Sequence, residues 1–185
     1  YVTGLVADQK DPRAVDAKLI ERYGLGVSKW ARARAKAVGR ASMRYIRHGR
    51  FFVMIATRGA HEFFERETNI RDIRRVPIRY GGYSISYRRG VDRRWHASVR
   101  IAPDEYRRLK CYLVGLAAQR SAENLAAVFT RIPFEPYAPV RRQLLNILRA
   151  VNRCRKAAGF DLVPVMALRL RRRLVRPFGE KLEER

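Results

Sequence analysis

The chain has 185 residues with 41 Lys plus Arg against 17 Asp plus Glu, a formal net charge of +24. At 47% hydrophobic residues it can bury a core, which excludes a disordered basic tail, and no apolar run approaches the 18 residues a membrane span needs. Only seven of the cations are Lys, leaving 34 Arg, and Arg holds phosphate bidentately and stacks on bases. A surplus of this size is the electrostatic footprint of a nucleic-acid binder.

Residues 1–8 form a short apolar lead-in that suits a strand or a helix. Asp11-Pro12 then starts a helix, with Asp as N-cap and Pro at N1, that runs to about Tyr23 before Gly24. Ser28 caps a second helix through about Val38. This helix has one large apolar residue, Trp30, beside Lys29, Arg32, Arg34 and Lys36. From Met43 the period becomes that of strands. A hairpin turns at His48-Gly49-Arg50, and the continuous apolar run Phe51 to Ala56 belongs in the middle of a sheet. A short helix follows at Ala60 to Glu67. Strands at Val76 to Tyr80 and Tyr83 to Arg88 flank Gly81-Gly82, and a further strand runs from Trp95 to Ile101.

After Pro103 the pattern is helical to about Gln119, and Ser121 caps the next helix. Three prolines within 133–139 make an ordered connector. A long helix begins at Pro139 and ends before Gly159. Val140, Leu144, Leu148 and Val151 share its core face, while Arg142, Arg149, Arg153 and Lys156 form a cationic stripe. Leu168, Leu170 and Leu174 then alternate with Arg169, Arg171 and Arg173, as on a half-buried strand. The expected fold is α+β: one mainly antiparallel sheet of five to six strands, two N-terminal helices, and a C-terminal helical segment ending in an Arg-rich strand. One compact domain over 1–178 and a polar tail over 179–185 are expected.

Aromatic residues interleave with the cations. Trp30, Tyr45, Tyr80, Tyr83, Tyr87 and Trp95 lie in or beside Arg-rich segments, and Tyr83 and Tyr87 are the candidates for base stacking. The signals for catalysis are sparse. His61, Glu62 and Glu65 are the candidates, with His61 and Glu65 four residues apart, but the second His of an H-E-x-x-H site is missing. No phosphate-binding Gly loop and no Cys ligand spacing is present, so neither cofactor nor metal is expected. Cys111 and Cys154 are expected as buried free thiols in a reducing cytoplasm.

Thr3 to Gln9, TGLVADQ, resembles the LAGLIDADG helix of homing endonucleases over seven residues. Aligned on Gly4 and Leu5, the acid that holds the metal in that family falls on Gln9. The chain departs from the motif there, leaving Asp8 or Asp11 as a displaced ligand, and the match is read as chance.

The expected function is nucleic-acid binding in the cytoplasm, without membrane association. RNA is favoured over DNA, and the setting extends to a larger ribonucleoprotein complex. The expected contacts are Arg32, Arg34, Lys36, Tyr83, Tyr87, Arg142, Arg149, Arg153, Lys156, Arg169, Arg171 and Arg173. Two alternatives stand beside this reading. One is a metal-dependent nuclease, nickase or transposase of a mobile element. The other is a basic scaffold subunit that binds an acidic protein.

Overall fold

The computed structural model describes residues 1–172. It has six strands, six α-helices and one 3₁₀ turn among those residues, and the strands form two separate three-stranded sheets. The chain divides into two compact units with a boundary between Ile78 and Arg79.

In the first unit, β1 (Val2–Leu5), β2 (Met43–His48) and β3 (Phe51–Ala56) make an antiparallel sheet with β3 in the centre. The continuous apolar run of β3 earns that place, because a central strand is covered on both faces. Residues 3–5 of the LAGLIDADG-like stretch are strand, not helix, and Asp8 pairs with Arg50. α1 (Pro12–Arg22) is capped by Asp11, whose carboxylate accepts from the amides of Arg13 and Ala14. α1 is tied to the sheet through Asp16. Tyr45 donates its hydroxyl to Asp16 Oδ1, and Arg47 grips both carboxylate oxygens at 2.8–2.9 Å. The Arg47 hydrogen bonds hold the Asp16 carboxyl below its usual range. Burial, then the bond to Asp16, pushes the Tyr45 hydroxyl up to about 12. Val2, Tyr23, Met43, Met54 and Phe63 form this unit's core. α2 (Lys29–Ala37), capped by Ser28, buries none of its residues.

In the second unit, the strand order is β4 (Ile78–Tyr80), β5 (Tyr83–Arg89), β6 (Trp95–Ile101). α4 (Pro103–Gly115), α5 (Ala122–Thr130) and α6 (Ala138–Ala157) enclose a core that includes Ile101, Leu113, Leu125, Phe129, Leu144 and Val151. α6 spans about 30 Å at 1.5 Å per residue and touches both β6 and α4.

Three expectations are corrected. The single five- to six-stranded sheet is two three-stranded sheets. Alternation along a strand fixes which face is buried but leaves the lateral neighbour open. At β6 the edge is also taken: Gln143 of α6 accepts from the Ile101 amide at 2.8 Å and donates to the Ile101 carbonyl at 3.1 Å, standing in for a strand. The described part of the expected Arg-rich C-terminal strand, 168–172, is the second correction, since it is not a strand. Val165–Ala167 is a 3₁₀ turn, and 169–172 follow as irregular chain with no ladder. Leu168 is buried against the helices and Leu170 packs beside it, so these two leucines are covered without a sheet. Arg173, Leu174 and the 179–185 tail lie outside the described residues. Third, Cys111 and Cys154 are exposed free thiols, not buried ones.

Candidate nucleic-acid interface

α6 carries no Asp or Glu along its 20 residues. Its apolar side chains Val140, Leu144, Ile147, Leu148 and Val151 are buried, which turns Arg142, Arg149, Arg153 and Lys156 outward to solvent. Among the described residues, no carboxylate pairs with any of these four. Arg149 donates only to the neighbouring Asn146 amide oxygen, at 3.3 Å. Three acids elsewhere in this unit are engaged: Asp104 with Arg79 and Arg107, Glu105 with Arg108, and Asp92 with His96.

The cations continue onto the sheet. In the β5–β6 ladder, Ser84 lies opposite Arg100, Ser86 opposite Ser98, and Arg88 opposite His96, so these six share one face. Ser86 and Ser98 are buried; Arg88 donates to the Ser86 hydroxyl at 3.1 Å and Arg100 to the Ser98 hydroxyl at 3.5 Å. Partial burial, then the charges of Arg88 and Arg142, lower the pKa of the Arg100 guanidinium. Arg100, Arg142, Gln143 and Asn146 line a cleft of about 270 Å³. A larger groove, about 720 Å³, lies between α4 and α6 and is walled by the chain around Leu162 and Val165. Lys110 of α4 and Arg149, Arg153 and Lys156 of α6 form its rim. Asn146 lines both cavities, and Arg142, Asn146, Arg149, Arg153 and Lys156 follow one another at spacings of four, three, four and three, so cleft and groove adjoin along one cationic face of α6.

The two candidate tyrosines are placed differently. Tyr83 meets Phe134 and Tyr137 edge-on, and its hydroxyl accepts from the Glu135 amide at 2.7 Å. It is a packing residue of the core. Tyr87 lies on the opposite sheet face from Arg88, 41% exposed, and stacks on Trp95 with centroids 5.5 Å apart and planes 16° apart. Beyond them, the hairpin tip holds Arg89, Arg93 and Arg94. The tip is shaped by a left-handed Arg93 (φ +60°) and by a bond from Arg89 Nε to the Arg93 carbonyl.

In the first unit, Arg34 and Lys36 are exposed on α2, and Arg32, partly covered, donates to the Val27 carbonyl. Trp30 is 72% exposed beside Lys29. Two of the three candidates for catalysis, His61 and Glu62, have local partners. α3 (Phe63–Arg66) begins after His61, so no helix holds His61 and Glu65 on one face. His61 Nδ1 accepts from the Phe63 amide, and Glu62 pairs with Arg66 at 2.9 Å. Among the described residues, no three His, Cys, Asp or Glu side chains gather as a ligand set. Arg169 and Arg171 are exposed on the irregular segment that follows the 3₁₀ turn.

Sequence reasoning missed three residues of α6. Gln143 holds β6. Asn152 forms the same two-way amide clamp on the Val163 backbone, at 2.9 Å in each direction. Arg155, only 2% exposed, donates to the carbonyls of Ala117 at 2.6 Å, Arg120 at 2.7 Å and Asp161. The signal for Arg155 was its register: it follows Leu144, Leu148 and Val151 at spacings of four, three and four, and so falls on the core face. Among the described residues, no helix is long and apolar enough to cross a membrane. In comparisons with protein-family models, curated proteins and solved structures, nothing matches the chain.

Proposed function

We propose that this chain binds nucleic acid along the track of Lys156, Arg153, Arg149, Arg142, Arg100 and Arg88, with structured RNA favoured over DNA and a ribonucleoprotein as the setting. The observation that supports this is the outward face of α6: four fixed cations in a row that, among the described residues, pair with no acid. Like charges repel, so holding them in line without counter-charge costs stability that an anionic ligand returns. A phosphate backbone matches a linear track, and Arg meets phosphate with a planar fork. RNA is favoured because its loops and bulges present phosphates at irregular spacing together with unstacked bases.

The test is binding of an RNA hairpin across a salt series. With six to ten phosphates neutralised, affinity falls by roughly three to five orders of magnitude between 50 and 200 mM salt. Arg142, Arg149 and Arg153 changed together to Gln keep the fold, since all three are exposed and Gln has comparable helix propensity. That variant loses about two to three units of salt slope. A flat salt response, or a triple variant that binds as the parent does, overturns the proposal. Tight binding of an acidic protein with no affinity for either nucleic acid favours the scaffold reading instead.

A further inference from the structure

We infer that the groove between α4 and α6 receives a short unpaired stretch of nucleic acid, with bases on its apolar floor and phosphates on its cationic rim. This rests on the nucleic-acid reading above and names the part of the ligand that the groove selects.

The groove has two chemistries. Leu145, Leu148, Leu162 and Val165 supply the apolar surface, and Lys110, Arg149, Arg153 and Lys156 supply the rim. No acid lines it. Leu162 and Val165 are 52% and 54% exposed. Large aliphatic side chains left open at a cleft mark a surface meant to be covered. Phosphates alone would use the rim and leave this floor wet. A regular duplex offers nothing else, because its bases are stacked inside. An unpaired strand offers both: a charge at every nucleotide and a flat, weakly polar face beside it.

The dimensions agree. On α6 the groove runs from Leu145 to Lys156, about 16 Å at 1.5 Å per residue. About 720 Å³ lies within the range of small-ligand sites and holds a few nucleotides rather than a duplex. An acidic amphipathic helix would also match an apolar floor with a cationic rim. The continuity of the track decides against it. Asn146 joins this groove to the Arg142–Arg100 cleft, and the cations run on to Arg88. A chain with charge along its whole length uses such a track from end to end, whereas a docked helix stops at the groove.

The experiment uses three probes: an eight-residue oligouridine, the same backbone with abasic internal positions, and a short RNA duplex. The parent binds oligouridine about 5- to 150-fold more tightly than the abasic strand, the range for one stacked base. Leu162→Asn and Val165→Asn together remove the floor without changing charge, and both positions are already half in water. This variant closes the gap between the oligouridine and the abasic strand and leaves duplex affinity within about twofold. Equal affinity of the parent for the base-bearing and abasic strands overturns the inference, and needs no variant to read. So does a double variant that keeps the gap. Displacement of oligouridine from the parent by an amphipathic Glu/Leu peptide, with no abasic gap, assigns the groove to a protein helix and also overturns it. Failure of the broader reading looks different: neither strand nor duplex binds with a salt dependence.

Discussion

Arg155 is the sharpest test of how this fold is held together. It lies two residues from Arg153 on the same helix, yet one guanidinium faces solvent and the other is 2% exposed. Among the described residues, the buried one forms no ion pair with a carboxylate. Its charge is met by the Ala117, Arg120 and Asp161 carbonyls and by the Phe160 ring, 5.5 Å from its carbon. Two of those carbonyls belong to the turn that follows α4, where helix ends leave acceptors unsatisfied. Hydrogen bonds to a charged group contribute about 1.5–3 kcal/mol each, and acceptors left dry cost about 1–3 kcal/mol each. The three are not additive, because water reaches the exposed 159–162 segment once the side chain is gone. Arg155→Met is therefore expected to lose about 3–5 kcal/mol, the order for two carbonyls left without a donor together with the lost charged bonds. Arg153→Met changes stability by no more than about 0.5 kcal/mol. In a Trp30→Phe background the remaining tryptophan, Trp95, reports the second unit during urea unfolding. Arg155→Lys, which keeps the charge but not the fork, falls between the two. An Arg155→Met variant within about 1 kcal/mol of the parent refutes the reasoning.

The first unit gives two further tests. Gly59 has φ +138°, and a Cβ there would stand 2.6 Å from backbone atoms of Gly39, Arg40 and Ala41; Gly59→Ala should cost about 2–4 kcal/mol in a thermal melt. Gly49, at φ +58° with open space around it, should cost only about 1–2 kcal/mol, and equal losses at the two positions would contradict the close-approach argument. Asp16→Asn should lower the thermal midpoint at pH 7. Since Arg47 holds the Asp16 carboxyl below its unfolded value, the carboxylate's contribution is present above about pH 4 and is lost as pH falls through the depressed value. The gap between parent and variant should therefore shrink in acid, and a pH-independent gap would show that the charge is not what ties α1 down.

Much of this was legible in the sequence, for reasons that can be named. Asp11, Ser28 and Ser121 all cap the helices they precede, because a short oxygen before an apolar period has few other uses. The stripe on α6 was readable since its apolar face left the Arg positions only one direction to point. What failed depended on partners distant in sequence. The Leu/Arg alternation after Val165 looks like a strand, but over the described residues 168–172 it joins no ladder, and Leu168 finds its cover among helices. Tyr83 and Tyr87 sit four residues apart on one sheet face, and only the chain returning at Phe134 to Tyr137 packs the first into the core. His61 and Glu65 have helical spacing, but the helix starts two residues too late to use it.

α6 serves the core and the candidate interface at once, and the polar residues on its flanks explain how. Gln143 and Asn152 each saturate both backbone groups of one extended residue, Ile101 and Val163, and Arg155 closes the turn after α4. These side chains fix the helix in rotation as well as in position, because an amide clamp is directional where apolar packing is not. Rotation is what the outward cations depend on. A turn of the helix by one residue, about 100°, would swing Arg149 and Arg153 away from Lys110 and break the rim of the groove. Binding sites gain affinity when their groups are held in place before the ligand arrives. Gln143→Leu should thus weaken RNA binding without removing any charge, and by more than its loss of stability accounts for. Anisotropy titrations at a temperature where the variant is fully folded would measure this, and unchanged affinity there would show that the clamps serve the core alone.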